Sequence, residues 1–346
     1  MVRQQDLFVS GVGGYKTYRI PALVVSTQGT VLAFCEGRKD GVADSGDIDI
    51  LLRRSFDQGR TWEGPRVVVA GAGDTAGNPA PVVDRRTGTI FLLFCRNNSD
   101  GPEPLILTGE APRTVWLTKS EDDGATWSEP VELTSSVKRP GWTWYATGPG
   151  HGLQLKSGRL LIPCDHAVGP ESAPVQSPYF SHVIYSDDAG ATWEIGGVIG
   201  PGTNECTLVE LEDVAYINCR GMLEGHRERA YAYSYDEGVT FTPVAWDQVL
   251  TEPQCQASLL KVTLREKPYV LFSNPASTRR EKLTIKISKD DCRSWEPGIL
   301  IYPGPSAYSD LCSLDDGPIL CFYERGHQNP YEFLTLATID TEELLG

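Results

Sequence analysis

The octapeptide SFDQGRTW, residues 55–62, returns as SEDDGATW at 120–127, SDDAGATW at 186–193, SYDEGVTF at 234–241 and SKDDCRSW at 288–295. Successive copies start 65, 66, 48 and 54 residues apart. Self-similarity at such a period marks a solenoid, a propeller or an array, because one unit cannot bury its own apolar face. Each copy reads as a β-turn. Its Asp caps backbone N–H groups, its Gly supplies a positive φ, and its terminal aromatic fills the space between sheets. No enzyme needs one catalytic acid five times over, so these acids read as structural.

Around the copies the chain runs in short β segments, among them TVLAF (30–34), IDILLRRS (48–55), TIFLLFC (89–95), HVIYS (182–186) and LTIKIS (283–288), with no sustained helical period. With 346 residues and 40% hydrophobic content, length alone would suggest two domains. The repeat argues instead for one all-β domain over 1–346. A net charge of −15 repels nucleic acid and anionic surfaces, so an anionic substrate requires a locally basic site.

The start, MVRQQDLFVSGVGG, lacks the basic and apolar regions of a signal, and no window nears the roughly 20 apolar residues of a membrane span. The nine cysteines are odd in number and form no CxxC pair. Cys35, Cys95, Cys164 and Cys321 lie inside apolar runs. They read as reduced core residues, so a soluble, cytoplasmic protein is expected, although a secreted one stripped of its signal would look the same. The five histidines show no metal-ligand spacing, and no cofactor is called for. His151 in GPGHG reads as a loop residue near the site. GAGDTAG (71–77) has the wrong spacing for a nucleotide loop and reads as a plain loop. Asn97 opens a glycosylation sequon, relevant only to a secreted protein.

Five polar stretches are not repeated: YRIPAL with Arg19; CEGRKDGVADSGDID with Glu36, Arg38 and Asp44; TNECTLVEL then INCRG with Glu205 and Arg220; SNPASTRREKLTI with Arg279 and Arg280; GPSAYSDL then CFYERG with Tyr308 and Glu324. Unique polar residues in a repeat architecture are better site candidates than repeated ones.

The repeated phrase resembles the Asp-box of sialidases and related propellers. The unique stretches, in the same order from residue 18 to 325, resemble the motifs of the sialidase superfamily of exo-acting glycoside hydrolases; GPGHGLQL and GRLLIPCDH extend the match. That resemblance implies a six-bladed β-propeller of four-stranded antiparallel blades, about 58 residues each, the last closed by a strand from each terminus. It implies an arginine cluster of Arg19, Arg220 and Arg280 for a substrate carboxylate, with Arg279 the rival of Arg280. It also implies Asp44 as acid/base, with Asp40, Asp47 and Asp49 as its rivals, Tyr308 as nucleophile and Glu205 as the base that activates it. Arg38 would bind a ring substituent, Glu324 would hold Arg19, and Glu36 is a weaker candidate for a similar duty. Trp142, Trp144 and Tyr145 either line the pocket or pack the core. Asn78 in GNPAPV and Arg96 in FCRN are candidates for an acetamido pocket.

The implied function is an exo-α-sialidase that releases terminal sialic acid from oligosaccharides, glycoproteins or gangliosides with retention. The alternatives are a sialic-acid-binding lectin without turnover and a trans-sialidase; a neutral-sugar hydrolase would give three arginines nothing to hold. The chemistry is coherent. Guanidinium forks grip a carboxylate bidentately, and a neutral phenol approaches an anionic centre without the repulsion a carboxylate nucleophile would meet. A Tyr of pKa about 10 needs a neighbouring base, and an acid that must start protonated is expected to have a raised pKa or to share its role with substrate. The tyrosine scheme is the known exception to two-carboxylate glycoside hydrolysis.

Overall fold

The computed structural model describes residues 2–314 and 317–345. The architecture is all β, with three short helices among the described residues, Glu103–Thr108, Thr134–Val137 and Thr341–Leu345. The strands fall into four-stranded antiparallel groups in chain order. The first group runs from Thr17–Val25 to Arg66–Val69, and the second from Thr75–Val83 to Val131–Glu132. A single parallel bridge, Ile48 to Thr75, joins these two into one sheet. In the third group Trp142–Thr147 and Leu153–Gln154 share the first position, and the group ends at Glu194–Ile199. The fourth spans Thr203–Glu210 to Ala245–Thr251, and the fifth starts at Ser258–Leu264.

The 18-residue strand Glu296–Ser313 ends the fifth group and begins the sixth, pairing first with Glu281–Ser288 and then with Ile319–Arg325. The sixth group closes with both ends of the chain, since Arg3–Val9 pairs with Phe333–Ile339. Innermost strands touch in sequence: Thr75–Val83 contacts Thr17–Val25 and Leu153–Gln154, and the latter contacts Thr203–Glu210. Thr203–Glu210 then contacts Ser258–Leu264, which contacts Glu296–Ser313, which returns to Thr17–Val25.

Apolar clusters fill the seams between consecutive groups. One holds Leu23, Val31 and Ala33 of the first group with Phe322, Leu334 and Leu336 of the sixth. Others join Phe34 and Leu52 to Leu92 and Phe94, and Leu161 and Val183 to Leu208 and Ile217. Burial of this apolar surface at roughly 25 cal/mol per Å² is the main force holding sheet on sheet.

The repeated octapeptides sit at these seams. In the first, Asp57 accepts the backbone N–H of Thr61 at 2.8 Å and its hydroxyl at 2.6 Å, and Ser55 Oγ accepts the N–H of Gly59 at 2.8 Å. The same bonds recur at Asp122, Asp188, Asp236 and Asp290. Trp62, Trp127, Trp193, Phe241 and Trp295 each pack into a seam cluster. The glycine meets two demands at once. Gly190 has φ +82, and a Cβ there would lie 2.3 Å from Phe91 in the preceding group. The fifth copy departs from the pattern, with Cys292 at φ +64 buried against its seam.

All nine cysteines are free and buried. GAGDTAG is a loop only in its first half, because Thr75 opens a strand. Asn97 is buried against Arg113, so its sequon is covered.

Candidate active site

Five innermost strands shift register at corresponding places, between Arg19 and Ala22, Gly77 and Ala80, Trp142 and Tyr145, Thr203 and Cys206, and Ser306 and Ser309. Such bulges turn a side chain out of the two-residue alternation. Arg19, Ile20, Asn78, Trp144, Asn204, Glu205 and Tyr308, all at these shifts, line one pocket. Ile20, a β-branched residue at φ +60, is strained there and is pinned by its N–H to Glu324 at 2.9 Å.

At the pocket floor the Tyr308 hydroxyl donates to Glu205 Oε1 at 2.5 Å. Arg220 Nη1 donates to Glu205 Oε2 at 2.8 Å and to the Tyr308 hydroxyl at 3.3 Å. Burial and the Glu205 charge push the Tyr308 phenol well above its ordinary pKa, outweighing Arg220 and Arg280. The phenol is therefore neutral, and its proton has a ready acceptor.

Arg19 donates to Glu324 at 2.7 Å, and the Arg19 and Arg280 guanidinium groups lie 5.3 and 5.5 Å from the Tyr308 ring centre. Glu324 is fully buried and also accepts the Tyr308 N–H at 3.1 Å, so one carboxylate fixes Arg19, Ile20 and Tyr308 together. Arg280 has no carboxylate partner among the described residues. It donates to the Tyr331 hydroxyl at 2.8 Å and to the Gln254 carbonyl at 3.2 Å. Arg279 points away, paired with Glu281 at 3.2 Å. Three guanidinium groups from distant parts of the chain thus converge beside one tyrosine, in a protein of net charge −15.

On the opposite wall Asp44 lies 2.7 Å from Arg38 and 3.9 Å from Arg19, with 62% of its side chain exposed. Its loop is tied down by Thr75, whose hydroxyl donates to the Gly46 carbonyl at 2.9 Å. Arg38 is 2% exposed and is held by Glu36 at 2.6 Å, while Glu36 also accepts the Asn78 N–H at 2.7 Å. Asp49 is spent on Tyr15 and Gly71, Asp47 on Lys39, and Asp40 on the Asp47 N–H. The expected rise in the Asp44 pKa is not found. Its seat within the pocket walls pushes it up although much of its surface stays open, but Arg38, Arg19 and Arg113 together hold it below the usual carboxylate value.

Trp144 lines the pocket, whereas Trp142 stacks on His166 at 3.5 Å and Tyr145 is fully buried. Asn78 lines the pocket; Arg96 lies away from it, over Trp116. His151 bonds Asp310 at 2.7 Å and stands apart from the pocket wall. Among the described residues no group of three or more His, Cys, Asp or Glu could hold a metal ion.

Several residues in or behind the pocket wall escape sequence reasoning. Asp165 sits in the apolar run LLIPCDH, where a buried acid is itself a signal. Arg113 begins a strand, where an arginine reads as solvated, yet it is 3% exposed and bonds Asn78, Asn97 and the Tyr145 carbonyl. Tyr331 comes from a loop with no distinguishing pattern.

The fold and the arginine-lined pocket with its Tyr–Glu pair define an anion-binding site on a repeat scaffold. Residues 29–321 match the BNR repeat-like domain. The chain is 35% identical to a sialidase of Micromonospora viridifaciens over 96% of its own length and 54% of that protein's, so it spans about half of that relative. It is 31% identical to sialidase-3 of Bos taurus, covering 95% of this chain and 90% of the relative. The solved Hadza microbial sialidase Hz136 superposes with a TM-score of 0.88 at 28% identity, over 99% of this chain and 69% of that one. The chain belongs to the sialidase superfamily, a family of glycoside hydrolases.

Proposed function

We propose that this protein is an exo-α-sialidase that hydrolyses terminal sialic acid from sialylated oligosaccharides, glycoproteins or gangliosides with net retention. The observation that carries the reading is the hydroxyl of Tyr308 bonded to Glu205 amid Arg19, Arg220 and Arg280. A sialoside bears its carboxylate on the carbon where the bond breaks. Arg280, lacking an internal carboxylate, supplies the unspent positive charge for that group, and Arg19 and Arg220 complete the grip.

With the carboxylate held, Tyr308 attacks the anomeric carbon as Glu205 takes its proton, and Asp44 protonates the departing aglycone oxygen. The bond to the aglycone breaks as the Tyr308–sugar bond forms. Asp44, now ionised, draws a proton from the water that opens the adduct, and Glu205 returns its proton to the departing Tyr308 oxygen. Because Asp44 is held low by three arginines, the negative substrate carboxylate entering their field is what raises its proton affinity at the moment of use.

The same reading takes the strand groups as blades of one closed six-bladed propeller forming a single catalytic domain. The return contact to Thr17–Val25 and the filled seams support that closure. Nine unpaired buried cysteines favour a reducing, cytoplasmic setting.

Hydrolysis of an aryl α-sialoside tests the proposal. Turnover by the native protein, lost in Tyr308→Phe with sialic acid binding retained, is expected. Saturable binding with no turnover by the native protein would make it a lectin, and dominant transfer to added lactose would make it a transferase.

A further inference from the structure

Asp165 is a fully buried carboxyl of the pocket wall that the proposed chemistry leaves without a task. It lies on the strand Leu160–Val168, is fully buried, and still belongs to the wall of the cavity. Its two oxygens differ. Oδ1 accepts the indole N–H of Trp144 at 3.1 Å and the amide of Asn204 at 2.7 Å, while Oδ2 has no partner among the described residues. Both partners of Oδ1 are obligate donors at those atoms, which makes Oδ1 the carbonyl-like oxygen and leaves Oδ2 to carry a proton. A buried ionised carboxylate with one oxygen unsatisfied is costly, whereas a neutral acid with one free O–H is a hydrogen-bond donor in search of an acceptor.

We propose that Asp165 is a specificity-determining residue of the sialoside pocket: a neutral carboxylic acid whose Oδ2–H donates to an uncharged oxygen of the bound sugar, a hydroxyl or an acyl carbonyl. This rests on the sialidase reading of the same site. The surroundings agree with the assignment. Burial, then the charge of Glu205, pushes the Asp165 carboxyl well above the usual range, and Arg220 and Arg113 do not offset them. The tyrosines Tyr145 and Tyr179 also face it and carry no charge at neutral pH, both raised first by burial. An ionised Asp165 would repel Glu205, the neighbour of Asn204 in sequence. A neutral one spares Glu205 that repulsion and still offers the substrate a directed bond. Substrates with no oxygen at that position leave a buried O–H unpaired, which is how such a site discriminates.

The test uses the full chain and an aryl α-sialoside. Asp165→Asn keeps an oxygen for Trp144 and Asn204 and places an amide N–H where the acid proton stands, so KM is expected within about threefold of the native value. Asp165→Ala removes the donor and is expected to raise KM roughly tenfold with a smaller change in kcat. An infrared C=O band of a protonated carboxyl should be present in the native protein and missing in Asp165→Asn, a readout independent of how well the alanine variant folds. Equal KM losses in the asparagine and alanine variants, no KM change in either, or no such band at neutral pH would overturn the inference. Native protein without turnover would instead refute the sialidase reading.

Discussion

The hydroxyl of Tyr308 donates to Glu205 across 2.5 Å, and Arg220 reaches both groups, at 3.3 Å and 2.8 Å. A phenol whose pKa is driven up by burial and by that carboxylate cannot be a resident phenolate. In the proposed mechanism deprotonation and attack are therefore concerted, with Glu205 as receiver. Replacing Glu205 by Gln removes the receiver while keeping shape, and kcat for formation of the adduct should fall roughly 100- to 10,000-fold. Pre-steady-state release of the aryl alcohol measures it. A loss under threefold would mean that Glu205 serves only to position Arg220.

Asp44 acts, in this account, on the leaving group alone during the first half-reaction. Asp44→Ala should lose most of its kcat/KM toward natural glycosides yet keep a large share of it toward aryl sialosides, whose alcohols leave without a proton, while kcat falls for both because Asp44 also activates water. A plot of log kcat/KM against leaving-group pKa should steepen in the variant. Parallel lines for native and variant protein would remove Asp44 from the acid role.

Glu324 holds Arg19, Ile20 and Tyr308 from a fully buried position. Glu324→Leu would strand the Arg19 charge and two backbone donors, so the chain should lose about 3–5 kcal/mol of stability by denaturant titration. Arg280→Lys acts differently. It keeps the charge but not the fork, leaving stability near native and raising KM roughly tenfold or more.

Two turn glycines, one between the first strands and one in the third octapeptide, contribute separable kinds of stability. Gly29 and Gly190 share a positive φ, +83 and +82, but a Cβ at Gly29 meets nothing within 4 Å while one at Gly190 strikes Phe91. Gly29→Ala should cost about 1 kcal/mol from backbone strain alone, and Gly190→Ala should cost several times that. Thermal unfolding of the pair separates strain from collision.

Acid should weaken the fold in two stages. Burial holds His166 down at about 3 and His182 well below its ordinary value, so both are neutral when folded. Their stabilising contribution is full above the unfolded value near 6.5 and declines as pH falls from there toward 3. Hydrogen bonds from Thr61 and Thr126 draw Asp57 and Asp122 down to about 2. Their contribution is full above the unfolded value near 4 and is lost as pH falls through 2. Denaturant midpoints followed from pH 7 to 2 should fall in both windows, and Asp57→Asn should flatten only the lower one.

The repeating turn was legible because its bonds are local. Ser, Asp, Gly and Thr within eight residues satisfy one another regardless of tertiary context, as in Ser55 to Thr61. The sixth strand group carries no such phrase, so only the family resemblance pointed to it, and pairing of Arg3–Val9 with Phe333–Ile339 shows how it is completed. Convergence of Arg19, Arg220 and Arg280 was legible from the ordered motifs, whereas the register shifts that aim the pocket residues were not, since a bulge is a property of two strands. Strict alternation would put Trp142 and Trp144 on one face, yet the shift between Trp142 and Tyr145 sends only Trp144 to the pocket. Nor does a sequence reveal that Arg113 is buried, because nothing local distinguishes a buried charge from a solvated one at a strand end.

The covalent bond to Tyr308 is the central claim, and a fluorinated sialic acid donor with a good leaving group tests it most directly. Incubation with the native protein, followed by proteolysis and mass spectrometry, should show one sugar residue added to the peptide bearing Tyr308, with release of one equivalent of leaving group. Turnover of ordinary sialosides by a protein that yields no adduct, or yields one on a different residue, would contradict the account.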